Sequence, residues 1–318
     1  MTINQQSIIT AILLIFTAAF VSVAFPLLTY TLTLACFGLA HVLTELRYVD
    51  YRFNQRLNID LRKKIIIILL TIVNLRIFQI FGVLSSSISI PLELTCVIGL
   101  IAVVIPILKA KDCKLEILAI ALSLTLFIGL IWIPTLIMLA FAILHNITPV
   151  AFIAEKLRNI TRKLALIACF LVFVLIPAII ISGYPDHFLS SLNLTAPSAS
   201  IFQAGNLQLH LGAFIPQQLH GSTIAQNAFS AAVFLQCMHY AVVLFIFPNW
   251  VQSHQKIFNQ FVIFFSTLIF IYFTQSFIEA RKLYSIVAAI HAWVEFPILL
   301  LALAIPAEEK IRIVEIEK

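Results

Sequence analysis

The sequence predicts an all-α bundle of about ten membrane-spanning helices, and three observations carry that reading. Of its 318 residues, 62% are hydrophobic and 11% charged, whereas about a quarter are charged in an average soluble domain. Nearly uncharged apolar runs recur along the whole chain, each close to the roughly 20 residues a helix needs to cross about 30 Å of hydrocarbon. The basic residues gather on alternate connections, as the positive-inside rule expects of a polytopic membrane protein. Helices are the expected form because a span must satisfy its own backbone hydrogen bonds within lipid.

Taken in order, the apolar runs give spans at 8–26, 27–45, 64–84, 88–108, 115–132, 134–154, 163–182, 226–248, 259–279 and 283–305. The first follows "MTINQQSII", which has neither a basic leader nor a small-residue cleavage site, so it reads as a retained helix rather than a signal peptide. The fifth and sixth meet at "WIPTL", where the chain must turn at Pro134 almost without a loop; a re-entrant reading of that hairpin gives eight spans. With ten spans, both termini fall on the cytoplasmic side. Of the 20 Lys and Arg, only Arg281 and Lys282 fall on the opposite face and Arg76 lies within a span, which supports this orientation.

The chain then forms one transmembrane domain over 1–318, with one long non-cytoplasmic loop at 183–225 that reads as a cap or lid over the helix ends. Its His187, His210 and His220 are expected to be ordinary interfacial loop residues. The cytoplasmic stretch "RYVDYRFNQRLNIDLRKK" reads as an amphipathic surface helix on anionic lipid headgroups. The net charge of +6 is explained by topology and implies no nucleic-acid partner. Cys36, Cys96, Cys113, Cys169 and Cys237 stand singly, which excludes a disulfide framework and a thiolate zinc site.

Ionisable side chains inside a span are costly and are functional hypotheses by default. His41 and Glu45, in "AHVLTEL", stand four residues apart, so they share one helix face a turn apart. His291 and Glu295, in "IHAWVEFPILLLAL", repeat that spacing near the other end of the chain. His145, in "ILHNITPVAF", and His239, in "LQCMHYAVV", lie in two further spans. All four spans run from outside to cytoplasm in the derived topology, so six side chains fall in one layer of the bundle. Four imidazoles and two carboxylates form a ligand set for one or two metal ions, and this donor type without thiolate suits non-haem iron, manganese or zinc. Asn146, Gln236, Tyr240, Tyr284 and Trp293 are candidates to orient the ligands. The bland alternative is that these polar groups only hold helices together across interfaces.

Arg76, in "IVNLRIFQI", and Glu93 lie in neighbouring spans and are expected to form an ion pair. The sharper reading of Arg76 is an anchor for a substrate carboxylate or carbonyl.

The motifs "HVLTE", "LHNITP", "MHY" and "HAWVEFP", spread over most of the chain, resemble the intramembrane H-x-x-x-D helices of the bacterial Brp/Blh-type carotene-cleaving family, with Glu here where that family carries Asp. The resemblance implies a polytopic enzyme of the bacterial inner membrane whose histidine-bound, non-haem iron cleaves a carotenoid. The residues themselves point to a metal-dependent oxygenase acting on a lipophilic substrate, an isoprenoid or other lipid, with membrane lipids as surroundings. Haem held by paired histidines would leave the glutamates unexplained. Two other classes compete: a proton-coupled or solute transporter using intramembrane His and Glu, and a non-catalytic assembly protein. The sequence does not determine the oligomeric state.

Overall fold

A computed structural model describes residues 5–54, 57–211, 220–251 and 255–304. Among these, the ordered elements are helical and none is a strand. The long helices are α1 (Gln5–Ala24), α2 (Pro26–Phe53), α3 (Ile59–Ile80), α4 (Ser86–Ala102), α6 (Cys113–Trp132), α7 (Pro134–Lys156), α8 (Asn159–Phe170), α12 (Thr223–Phe245), α13 (Gln255–Gln275) and α14 (Phe277–Ala304). Four short ones, α5 (Ile105–Lys111), α9 (Ile176–Ile181), α10 (Tyr184–Ser191) and α11 (Leu207–Leu211), complete the set. Helix occupies most of each of the ten expected spans. Seven stretches are long and apolar enough to cross a membrane: Pro26–Phe53, Ser86–Lys111, Cys113–Trp132, Asn159–Ile181, Thr223–Trp250, Lys256–Gln275 and Phe277–Ala304. The apolar part of α1, Ile8–Ala24, is shorter, and α3 carries Arg62, Lys63 and Lys64 at its start and Arg76 within it. The chain ends, expected to be cytoplasmic, include residues 1–4 and 305–318 and lie outside the described residues, as do 212–219 of the long loop.

The expected surface helix does not form as a separate element. Its first part continues α2 to Phe53, with Tyr48, Val49 and Phe53 buried. Its second part opens α3, where the Asn58 side chain caps the helix by accepting from Leu61 N–H at 2.7 Å.

The chain divides into two compact units. The first comprises Met1–His41, Arg158–Ile246 and His254–Arg281. Here α12 packs on α1, α9 and α11, burying Phe229, Val233, Phe234 and Val243 together with Val23, Leu27 and Leu34. Between α8 and α9 the ladder relaxes into a π-helical turn at Leu171–Leu175. Pro177 follows at once, and its missing N–H is the kind of defect that such a turn absorbs. Gly183 precedes α10 with φ of 81°, and a Cβ there would lie 2.8 Å from Asn227 Nδ2, so glycine serves both the backbone and the approach.

The loop of this unit is pinned to its helices. Ala196 N–H donates to Ala24 O at 2.8 Å, and Phe277 N–H donates to Phe202 O at 3.1 Å. Phe202 and Gln203 hold the left-handed region, at φ of 60° and 55°. His210 corrects the expectation of an interfacial loop residue, because it is fully buried. Its Nε2–H donates to Ala204 O at 2.8 Å, its Nδ1 accepts from Arg281 at 3.0 Å, and Tyr30 and Phe277 meet its ring edge-on.

The second unit comprises Val42–Leu157, Phe247–Ser253 and Lys282–Lys318. In it α4 packs on α3, α6 and α7, and α6 packs on α5 and α7. The tight α6–α7 turn is observed as expected: Ile133 alone separates the two helices. Gly129 makes this possible, since a Cβ there would collide with the Ile137 side chain. Arg52 binds Glu155 through two nitrogens, at 2.9 and 3.1 Å. Tyr48, Phe53, Phe152, Phe247 and Trp250 form an aromatic block, with Tyr48 stacked on Phe247 at 4.4 Å.

Candidate metal centre

His41 and Glu45 stand one turn apart on α2, and both are buried. Leu39, Ala40, Leu43 and Leu46 favour the helix here despite the β-branched Val42 and Thr44, and the i, i+4 spacing aligns the two side chains. His145 comes from α7, His239 from α12 and His291 from α14. The last two are buried, and the His145 side chain is 12% exposed.

These five residues form one cluster. His41, Glu45, His145, His239 and His291 make a group that could hold a metal ion, and all but His145 are buried.

Within each unit the histidine rings pair off. His41 and His239 meet edge to face at 5.2 Å, and His145 meets His291 in the same way at 4.5 Å. Tyr240 stacks on His41 at 4.0 Å. His41 Nδ1 points at the Phe37 carbonyl, 3.4 Å away. A proton on Nδ1 suits that contact and leaves the His41 Nε2 lone pair for a cation.

Glu295 is not one of the five but bonds to one of them. His145 Nδ1–H donates to Glu295 Oε2 at 2.7 Å, and the Thr148 hydroxyl donates to the same oxygen at 2.8 Å. Thr148 is also 2.6 Å from the His145 carbonyl, so it ties the carboxylate to the helix that carries the imidazole. The bond to Nδ1 assigns Nε2 of His145 to any metal, in the carboxylate–histidine–metal arrangement common to such sites. The Glu45 and Glu295 carboxyl groups also interact directly. Two carboxyls side by side away from water need a proton or a cation between them.

Gln236 donates to Thr33 Oγ1 at 2.9 Å, within its own unit. Asn146 is half-buried beside His145 on α7, and Tyr284 is buried on α14. Arg76 forms the expected ion pair, with Nε 2.7 Å from Glu93 Oε2 and Nη2 2.7 Å from Oε1. Trp293 Nε1–H donates to the same Glu93 at 2.7 Å, linking that pair to the helix of His291 and Glu295. Thr148 was not among the candidates, although its place one turn after His145 in "HNIT" was the available signal.

Compared with protein-family models, with curated proteins and with solved structures, the chain matches none.

Proposed function

We propose that the chain is an integral protein of the bacterial inner membrane, with both termini cytoplasmic, whose cluster holds one non-haem iron and oxygenates a lipophilic substrate. The observation that carries this reading is a set of four histidines and one glutamate, all but one buried, that could hold a metal ion. Four imidazoles and a carboxylate suit iron or manganese, and five donors exceed the four that zinc takes in its structural sites. The iron would supply dioxygen activation.

The chain's own residues do the rest. His41, Glu45, His145, His239 and His291 bind the ion; Glu295 and Thr148 orient His145; Tyr240 fixes the plane of His41. On α2, Tyr48 and Phe53 follow Glu45 into the aromatic block, which keeps water from that side and weighs against a carrier with an open aqueous route. Oxidative cleavage of one carbon–carbon double bond needs only substrate and dioxygen: one oxygen atom goes to each carbon, and two carbonyls form. The resemblance to the Brp/Blh-type family supports an isoprenoid, with a carotenoid as one member of that class.

Metal analysis of the purified full-length protein tests the reading. Near one iron per chain, lost on His291→Ala and on His239→Ala in protein that still folds, is expected. Protein that remains metal-free when offered ferrous ion overturns the metal centre, and a strict preference for zinc overturns the oxygenase.

A further inference from the structure

Trp293 stands between two residues of the candidate centre in sequence and on the other side of the helix from both. It lies two positions after His291 and two before Glu295 on α14. At about 100° per residue, an α-helix turns it roughly 200° from His291 and 160° from Glu295, while those two fall within about 40° of each other. Within the second unit this reverse side is held in place. Trp293 is buried, and its Nε1–H donates to Glu93 Oε1 on α4 at 2.7 Å. Its ring meets that of Phe141 on α7 at 5.6 Å, and Phe141 precedes His145 by one helical turn.

The acceptor is an unusual one. A carboxylate buried in a membrane-spanning bundle needs a counter-charge, and Arg76 provides it through two contacts of 2.7 Å. The pair thereby offers Trp293 a charged acceptor, and such a hydrogen bond is roughly twice as strong as one between neutral groups. Joining α3 to α4 needs Arg76 and Glu93 but no indole N–H. The third partner comes from the helix that carries His291 and Glu295. On the other side of that helix, Glu295 accepts from His145 at 2.7 Å, and the His291 ring meets the His145 ring at 4.5 Å. α14 is therefore gripped on both sides, and it cannot roll about its axis without breaking one grip. Binding constellations tolerate only about 10–20° of such error.

We propose that Trp293 and Glu93 are positioning residues, which fix the rotation of α14 and so the direction in which His291 and Glu295 are presented to a metal ion. Arg76 serves as the counter-charge that lets Glu93 stand there. This inference rests on the metal reading above.

The test uses full-length protein in lipid nanodiscs with cobalt(II) as the probe, because its d–d absorption reports ligand geometry without any turnover. Trp293→Phe keeps the aromatic contact and loses the N–H. It is expected to weaken cobalt binding about 3- to 10-fold, as for loss of one hydrogen bond, and to change the absorption bands. Two further variants remove the ion pair and differ only in the acceptor left to Trp293. Arg76→Met/Glu93→Gln keeps an amide oxygen for the indole, and should bind cobalt and absorb like the wild type. Arg76→Met/Glu93→Leu removes that oxygen and should match Trp293→Phe, with no further loss when the two are combined. Thermal unfolding of the same samples separates geometry from fold. Binding that follows stability instead of the acceptor, Gln and Leu variants that behave alike, or an unchanged spectrum in Trp293→Phe each overturns the positioning role. Wild-type protein that takes up neither cobalt nor iron overturns the metal centre and this inference with it, whereas metal uptake with indifferent variants sinks the positioning alone.

Discussion

The Nδ1 of His145 lies 2.7 Å from a carboxylate oxygen of Glu295, across 150 residues of sequence. That one bond fixes which imidazole nitrogen faces the cluster. Removing the carboxylate should let the ring turn and take the wrong tautomer. Glu295→Ala is expected to lower metal affinity about 10- to 100-fold, as losses of such partners do. Glu295→Gln, whose carbonyl can still accept from Nδ1–H, should cost less. Titration against a competing chelator measures both, and equal affinity in wild type and Glu295→Ala would remove Glu295 from the site.

Glu93 receives Arg76 and Trp293 together while itself buried. Deleting one partner of such a pair leaves the other charge uncompensated. Glu93→Ala is expected to cost about 3 kcal/mol, the lower end for buried pairs because Arg76 keeps some exposure. The double variant Arg76→Met/Glu93→Leu should recover most of it. Unfolding in detergent across the double-mutant cycle gives the coupling, and additive effects would show that the contact contributes nothing.

His210 gives the loop a pH dependence of definite sign. Burial pushes its pKa below the ordinary 6.5, the bond to Ala204 opposes this, and Arg281 lowers it further. Above about pH 6.5 the ring is neutral folded or unfolded, and the full stability is present. As pH falls through the lowered folded value, the unfolded chain holds a proton that the folded loop resists, and stability is lost. The thermal midpoint of the wild type should therefore drop between pH 7 and pH 5. His210→Gln, which keeps a donor and an acceptor, should flatten that slope; an unchanged slope would assign the effect elsewhere.

Gly129 and Ile137 meet where α6 turns into α7. A methyl group at Gly129 would overlap the Ile137 side chain. Gly129→Ala is expected to destabilise by about 1–3 kcal/mol, the range for overpacking. Ile137→Ala in the same chain should relieve it, and a thermal shift assay on the four proteins decides. No loss in the single variant would mean the turn has slack.

Much of this was legible in the sequence because lipid leaves few options. Long apolar runs had to be helices, and each His or Glu inside them stood out against its neighbours. The i, i+4 spacing of His41 and Glu45 was enough to place both on one face. What spacing could not give was lateral arrangement: that His145 finds Glu295, or that Trp293 reaches Glu93, depends on packing between helices distant in sequence. The same limit explains His210. Within its loop, Leu207, His210 and Leu211 follow the i, i+3, i+4 pattern of a buried helical face.

The single residue between α6 and α7 also governs the place of His145, eleven residues after the second helix begins at Pro134. With no loop to take up a length change, an alanine inserted between Pro134 and Leu144 would carry the His145 imidazole about 1.5 Å along the axis and about 100° around it. The hairpin thus acts as a ruler, and the height of one donor in the bilayer is set by counting residues from a proline.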